Sequence, residues 1–300
     1  MLSCDTTFVD LIELENDGAG RWVGPPGPEP SGRTYGGQFM AQGLAAAYLT
    51  VTDDRWIHSL QATFLSAGDV NESTVYQVET MRDGRSFSTR SVGAFQKGIE
   101  LFRMVTSFHV PEEGFDYQTE IPRLSDHHGP ATSGSVGYTD YTTSHPDTEL
   151  HDEWPGSRRP IEISYLNPPP HPVETGHTAL EPVTEAQVMW QKISGDLPQD
   201  PTVHNLGLAY MSDSTLVDHV TLPHGYRWQD NRLTGTTLGH SMWFHHPTRI
   251  DQWVFYDQKV EATSGGRGLV SGKIYDKAGL LVASCVQEGL MRWTEPVESS

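Results

Sequence analysis

A self-similarity at one fixed spacing limits what this chain can fold into more than any other feature does. Ile57-His58-Ser59-Leu60 recurs as Gly239-His240-Ser241-Met242, and Gly84-Arg85 recurs as Gly266-Arg267, both 182 residues further on. Two separate motifs at one offset point to a small fold written twice. The 300 residues suit two units, at roughly 150 each. Each half is long enough to bury a core of its own. Differences between the copies then become informative, because a functional site can sit on one copy of a duplicated scaffold.

The patterning predicts the same order of elements in both halves. In the first, 7–14 predicts a short strand and 21–33 a Gly/Pro-rich loop. Gly36-Gly37 opens a predicted helix over 38–49, with Met40, Leu44, Ala47 and Val51 at helical spacing. Strands are predicted over 57–66, 73–82, 86–96 and 99–110. Val75, Gln77, Glu79 and Met81 alternate with Tyr76, Val78 and Thr80, and Gln96-Lys97-Gly98 predicts a hairpin turn. In the second half, 186–194 predicts a strand. Asp200-Pro201 predicts a helix start, with Asp as N-cap and Pro at the first helical position. That helix runs over 201–217, followed by strands over 235–246, 253–262, 267–276 and 279–292.

Between the halves, 112–182 is rich in His, Pro, Gly, Ser and Thr and contains Pro168-Pro169-Pro170. It reads as a linker or long excursion, within which 160–166 could add an edge strand. The expected domains are an N-terminal unit over 1–111, this linker over 112–182, and a C-terminal unit over 183–300. The expected class is α+β, with a curved antiparallel sheet wrapped around one long helix in each half and the two sheets joined edge to edge.

Composition narrows the function classes. The chain is 36% hydrophobic and 20% charged, as ordinary globular proteins are, and no stretch approaches the ~20 apolar residues of a membrane helix. Met1-Leu2-Ser3-Cys4-Asp5 lacks a basic segment followed by an apolar run, so no secretory signal is expected. Pro296-Val297-Glu298-Ser299-Ser300 carries no peroxisomal or ER address. Cys4 and Cys285 do not make a disulfide scaffold, and the expected location is cytoplasmic. A net charge of −19 argues against nucleic acid and anionic membranes as partners, since both need basic patches. It leaves room for a phosphorylated ligand held by a few arginines.

Comparing the copies singles out three residues of the second half. In the predicted helix, Leu206, Tyr210 and Val217 share a stripe on which Asp213 also falls. A carboxylate facing the sheet is costly unless it is hydrogen-bonded or paired. The alternative is a helix-end Asp satisfied by the following backbone or turned to solvent. In the last strand, Leu281, Ala283, Cys285 and Gln287 share a face by period two. Gln287 is thus an amide ending an apolar row: a site residue, a satisfied core amide, or a dimer contact. Its first-copy counterpart, at an offset of 181, is Thr106, so the repeat does not impose an amide there. Thr237 opens the strand leading to the repeated His-Ser, and its counterpart is Arg55. β-Propensity alone also explains a Thr at a strand start.

Gly36-Gly37-Gln38, Arg82-Asp83-Gly84-Arg85-Ser86-Phe87, Tyr210-Met211-Ser212-Asp213, His240-Ser241-Met242-Trp243-Phe244-His245 and Val286-Gln287-Glu288-Gly289, in this order, resemble the acyl-CoA thioesterase II family. The resemblance covers nearly the whole chain except 112–182 and the extreme N-terminus. It implies a double hotdog fold, with two long helices each wrapped by a curved antiparallel sheet. It also implies hydrolysis of fatty acyl-CoA to free acid and coenzyme A, with the family's catalytic Asp, Thr and Gln falling on Asp213, Thr237 and Gln287. The chain departs from the family pattern at Gly239, where an acidic residue commonly precedes the His-Ser, and at His246, where Arg is common.

These residue types suit the chemistry in their own right. An Asp can act as general base on water, worth roughly 100- to 10,000-fold, while Thr and Gln can fix that water through a hydroxyl and an amide. Backbone N–H groups at a helix N-terminus or a Gly-rich turn are candidate oxyanion donors. Arg267 and Lys273, or Arg82 and Arg85, could meet the phosphates of coenzyme A, or be solvated strand-end charges. No cofactor and no metal are expected, since His127-His128 and His245-His246 have no ligand partners at metal spacing. Cys285, in an apolar strand, reads as an inert core thiol. No Gly-x-Ser-x-Gly elbow is present, and Gly32-Arg33-Thr34-Tyr35-Gly36-Gly37-Gln38 is not a P-loop. Two other classes remain beside the thioesterase: a non-catalytic acyl-CoA or acyl-carrier binding module, and a hotdog enoyl-CoA hydratase, whose Asp-x-Asn-x-x-His pattern does not occur here. Open sheet edges lead us to expect a homodimer or higher homo-oligomer.

Overall fold

Alternating apolar and polar residues make long strands the dominant regular element of this chain, and the computed structural model pairs them into one sheet. It describes residues 6–28, 32–119, 159–166, 181–226 and 233–293. The Pro168-Pro169-Pro170 tract, His127-His128 and Cys4 lie outside the described residues.

The first half runs α1 (Phe8–Ile12), β1 (Glu15–Gly18), β2 (Arg21–Gly24), α2 (Gly36–Tyr48), β3 (Trp56–Phe64), β4 (Thr74–Asp83), β5 (Phe87–Gln96) and β6 (Ile99–His109). After β7 (Ile161–Tyr165), the second half runs β8 (Gln187–Ile193), α3 (Pro201–Ser212), a 3-10 helix (Val217–His224), β9 (Leu233–Phe244), β10 (Val254–Ser264), β11 (Arg267–Tyr275) and β12 (Leu281–Trp293). All neighbouring strands pair antiparallel, in the order β1-β2-β4-β5-β6-β3-β9-β12-β11-β10-β8-β7. Read outward from the β3–β9 seam, the two halves repeat each other. At the seam Ser59 faces Trp243 and Ala62 faces His240.

Both helices pack against the sheet in one continuous core. Phe39, Met40 and Leu44 of α2 join Leu208, Tyr210 and Met211 of α3, with Phe102, Met104, Tyr256 and Ile274 from the strands. The helices run antiparallel and touch at their ends. A Cβ on Gly37 would lie 2.1 Å from Tyr210 O, so only a glycine allows this approach. At the other end Asn205 Nδ2 donates to the Tyr48 hydroxyl at 3.1 Å.

Three expectations need correction. Residues 7–14 do not form a strand. Thr7 caps α1 in a capping box with Asp10, and Phe8 and Leu11, three apart, are both buried. The period there is helical, in a segment too short to display it. The expected loop at 21–33 begins as β2, which pairs with β4 through Arg21–Gln77 and Val23–Val75. The helix expected over 201–217 stops at Ser212, with Asp213 as its C-cap. Ser212 Oγ donates back to Ala209 O at 3.0 Å, and short polar side chains compete in this way with helix continuation. Asp200 does cap the start, accepting from Thr202 N at 2.9 Å with Pro201 next.

The register also changes one correspondence between the copies. Ser88 pairs with Phe108, and Val270 pairs with Gln287. Ser88 and Val270 correspond at the 182-residue offset, so the counterpart of Gln287 is Phe108 rather than Thr106. The second hairpin is shorter, with 17 residues from Val270 to Gln287 against 20 from Ser88 to Phe108.

Candidate active site

Asp213, Thr237 and Gln287 come from three different elements and meet. Asp213 ends α3 and is 7% exposed. Thr237 lies on β9 and Gln287 on β12, where a bulge between Glu288 and Gly289 offsets the pairing. A bulge re-aims side chains, and here Thr237 and Gln287 converge on one oxygen. Gln287 Nε2 donates to Asp213 Oδ1 at 2.5 Å and to Thr237 Oγ1 at 2.7 Å. Thr237 Oγ1 in turn donates to Asp213 Oδ1 at 3.2 Å.

The other carboxylate oxygen, Oδ2, faces the start of α2. A Cβ on Gly36 would lie 2.5 Å from it, so the glycine lets the backbone come up against the carboxylate. The N-cap Tyr35 gives α2 no side-chain cap, which leaves the amide end of the helix facing the site. Helix N-termini attract negative charge. Tyr35 OH donates to Tyr210 O at 2.7 Å, tying this end of α2 to the last turn of α3.

Burial pushes the Asp213 carboxyl up to about 7, against the lowering effects of the nearby Arg159 charge, of Gln287 and Thr237, and of the Gly37 backbone N–H. His240 stands opposite Gln287 in the β9–β12 register. Burial pushes its imidazole down to about 4, so it is neutral at pH 7. Its Nε2 pairs with Ser212 Oγ at 3.1 Å. It therefore braces the residue before Asp213. Cys285 lies two residues earlier on the same face of β12 and is also buried. Burial pushes its thiol up to about 12, and the thiol pairs with Tyr256 OH at 2.9 Å, the setting of an inert core thiol.

Among the described residues the first copy brings no such cluster together. Its helix ends at Leu49, which is 62% exposed, where the second helix ends at buried Asp213. Phe108 stands where Gln287 does and packs edge-on against Tyr48, with ring centres 4.9 Å apart. Arg55 donates to Gly84 O at 3.0 Å. The repeated histidines diverge too. His58 is half-buried and pairs with Ser107 Oγ at 2.9 Å, while His240 is fully buried.

The four other cations are not brought to the Asp213 cluster. Arg82 and Arg85 are exposed on the β4–β5 hairpin. Arg267, exposed beside the β10–β11 turn, pairs with Glu288 at 2.9 Å. Lys273 Nζ donates to Thr119 Oγ1 at 3.2 Å. Among the described residues no group of three His, Cys, Asp or Glu side chains is placed to hold a metal ion. His245 pairs with Ser284 Oγ at 2.9 Å, and His246 approaches Asp116 at 3.6 Å.

Residues 173–290 match the family described as acyl-CoA thioesterase, and residues 25–109 match the acyl-CoA thioesterase N-terminal domain. Acyl-CoA thioesterase 2 of Haemophilus influenzae is 32% identical over 88% of this chain and 89% of its own. Acyl-coenzyme A thioesterase 8 of the mouse is 33% identical over 98% of this chain and 91% of its own. The chain belongs to the acyl-CoA thioesterase II family. An acyl-CoA thioesterase II structure from Mycobacterium marinum superposes with a TM-score of 0.75 at 30% identity, over 97% of this chain and 99% of that one. A hot dog fold protein from Alicyclobacillus acidocaldarius superposes at 0.72 with 17% identity, covering 97% of this chain and 98% of that one, a likeness of fold. As a family member the chain is a thioester hydrolase on a hotdog scaffold.

Sequence reasoning did not single out Tyr35, Gly36, Gly37, His240 or Arg159 as site residues. For three of them the signal was present. Gly36-Gly37 is a glycine pair opening a helix, and His240 belongs to the repeated motif. Tyr35 and Arg159 carry no local pattern, and only the packing brings them to the site.

Proposed function

We propose that this chain hydrolyses fatty acyl-CoA by direct attack of water, with Asp213 as general base and Thr237 and Gln287 holding the water. The observation that carries this reading is the convergence of Gln287 and Thr237 on a buried carboxylate that faces the amide end of α2. Asp213 takes a proton from the bound water as its oxygen adds to the thioester carbonyl carbon. Negative charge developing on the carbonyl oxygen is met by the amides of the α2 N-terminus, a preorganised positive end. When the carbon–sulfur bond breaks, the departing coenzyme A sulfur takes the proton from Asp213. Acid and thiol leave, and no acyl-enzyme forms.

On this reading the chain is a double hotdog with one active site, carried by the second half. Arg82, Arg85, Arg267 and Lys273 are proposed contacts for the coenzyme A phosphates, and Arg267 must then exchange Glu288 for the ligand. We further propose a homo-oligomer in the cytoplasm. No helix among the described residues is long and apolar enough to cross a membrane.

Thiol release from a panel of acyl-CoAs tests the reading in wild type, Asp213→Ala and Gln287→Ala. The expected loss is roughly 100-fold or more without the base, with a smaller loss for the amide. The wild-type kcat/KM is expected to climb with pH up to about 7, the range in which Asp213 ionises, and to level off above it. Equal rates in all three proteins refute the assignment. A single turnover in ¹⁸O-water that yields a trapped acyl-protein adduct refutes the direct mechanism.

A further inference from the structure

The segment between the halves delivers a cation to the site. Arg159 lies just before β7, where Ile161 N–H donates to Arg159 O at 2.8 Å. Its guanidinium carbon stands 4.1 Å from the centre of the Tyr35 ring, the arrangement in which a cation is attracted by an aromatic face. Tyr35 is in turn fixed. Its ring meets Tyr210 edge-on at 5.0 Å, and its hydroxyl bonds Tyr210 O, three residues before Asp213. The residue after Tyr35 is Gly36, whose backbone abuts Asp213 Oδ2. Arg159, Tyr35, Gly36 and Asp213 thus form a contiguous row across the mouth of α2.

The groups around Asp213 are otherwise neutral or add no positive charge. Thr237 and Gln287 are uncharged, and His240 is neutral at pH 7. Tyr256 and Cys285 stay protonated because burial raises both well above neutrality. Tyr35 offers its ring to the guanidinium and its hydroxyl to α3. Among the described residues, Arg159 is the one full cation that acts on the Asp213 carboxyl. Arginine suits this task because it stays charged across the working pH range and stacks on aromatic faces.

We propose, resting on Asp213 as the base, that Arg159 is a positioning residue: seated on Tyr35 at the open end of α2, it supplies the positive field that keeps the buried Asp213 carboxylate ready to take the proton of water. The second half's base is thereby tuned by a residue from the linker between the halves, held on a platform from the first.

The test is the pH dependence of kcat and KM for thiol release in wild type, Arg159→Met, Arg159→Lys and Asp213→Asn, with Arg159→Gln replacing the Met variant if that one does not fold. Removing a cation that acts on a buried carboxylate moves its titration by about one pH unit or more. We expect the acid limb of kcat/KM to move up in Arg159→Met. Its rate at pH 7 should fall about five- to tenfold and recover by pH 9, with KM changed less than about twofold. Lys should restore the limb. An acid limb that stays in place in the neutral variants, or a loss confined to KM, overturns the proposal and makes Arg159 a structural or substrate-binding residue instead. Asp213→Asn separates the two readings. If it is inactive while the Arg159 limb does not move, only the role of Arg159 is lost; if it remains active, the assignment of the base is wrong.

Discussion

One residue sets the energetics of this site. Asp213 is buried, so ionising it costs free energy that the Arg159 charge, Gln287, Thr237 and the Gly37 amide only partly offset. Its folded pKa of about 7 lies above the 3.8 it has when exposed. Below about pH 4 it is protonated both folded and unfolded and has no net effect. Between about 4 and 7 the unfolded chain loses this proton while the folded one keeps it, so stability falls as pH rises. Above about 7 the full cost is present. At ~1.4 kcal/mol per pH unit the difference reaches at most ~4 kcal/mol. Asp213→Asn keeps the shape and removes the charge. It should therefore unfold at a higher temperature than wild type at pH 8, and the gap should close toward pH 4. Thermal melts of both proteins across that range check this, and parallel pH dependences would falsify the buried-charge account. A destabilising ionisable group kept at the end of a packed helix is the trade expected of a functional site.

At the scale of elements, the two helices matter through their ends. Gly36 and Gly37 open α2 where α3 finishes, and each glycine has a different neighbour. A Cβ on Gly37 meets the Tyr210 backbone at 2.1 Å, whereas one on Gly36 meets the Asp213 carboxylate at 2.5 Å and the Phe64 ring at 2.9 Å. Backbone cannot step aside as a side chain can. Gly37→Ala should therefore force the helices apart, cost about 1–3 kcal/mol and lower the melting temperature. Gly36→Ala should melt closer to wild type yet lose most thiol release, because it displaces the carboxylate. Melts and rates of the two variants decide this, and the reverse ranking would sink it. The same element ends show what sequence could and could not reveal. The long strands were legible because Val75, Tyr76 and their neighbours alternate over whole pleats, and Asp200-Pro201 marked the start of α3 through its capping chemistry. The five-residue α1 was too short to reveal its period. The stop at Ser212 depends on side-chain hydrogen bonds that compete with the helix, and Asp213 reached the site as a cap rather than as part of a stripe. Gln287 was visible as a polar break in an apolar row. Its true counterpart, Phe108, required the strand register.

Across the whole molecule, duplication gives a scaffold that neither copy uses alone. The clustered carboxylate, hydroxyl and amide belong to the second half, but the helix end that faces them is α2 of the first. The twin location, between the end of α2 and the start of α3, is filled. The Tyr48 hydroxyl accepts from Asn205 at 3.1 Å and from Ile57 N at 3.2 Å, and Phe108 packs on its ring. The 182-residue echo therefore preserves the β3–β9 seam and the paired helices, while the Asp213 cluster lies where the end of α3 meets the start of α2. The first half does more than complete the sheet, because its Gly36 backbone abuts the Asp213 carboxylate. Residues 183–300 expressed alone should release no thiol even where they fold, since α2 and the positive end it presents are missing. Mixing in a polypeptide of residues 1–182 should restore activity if the two pieces re-form the β3–β9 seam. Thiol release measured on each piece and on the mixture checks this, alongside gel filtration to show that the pieces associate. Full activity in the isolated second half would mean that the site needs nothing from α2, and that the oxyanion donors must be sought on β9 and β12.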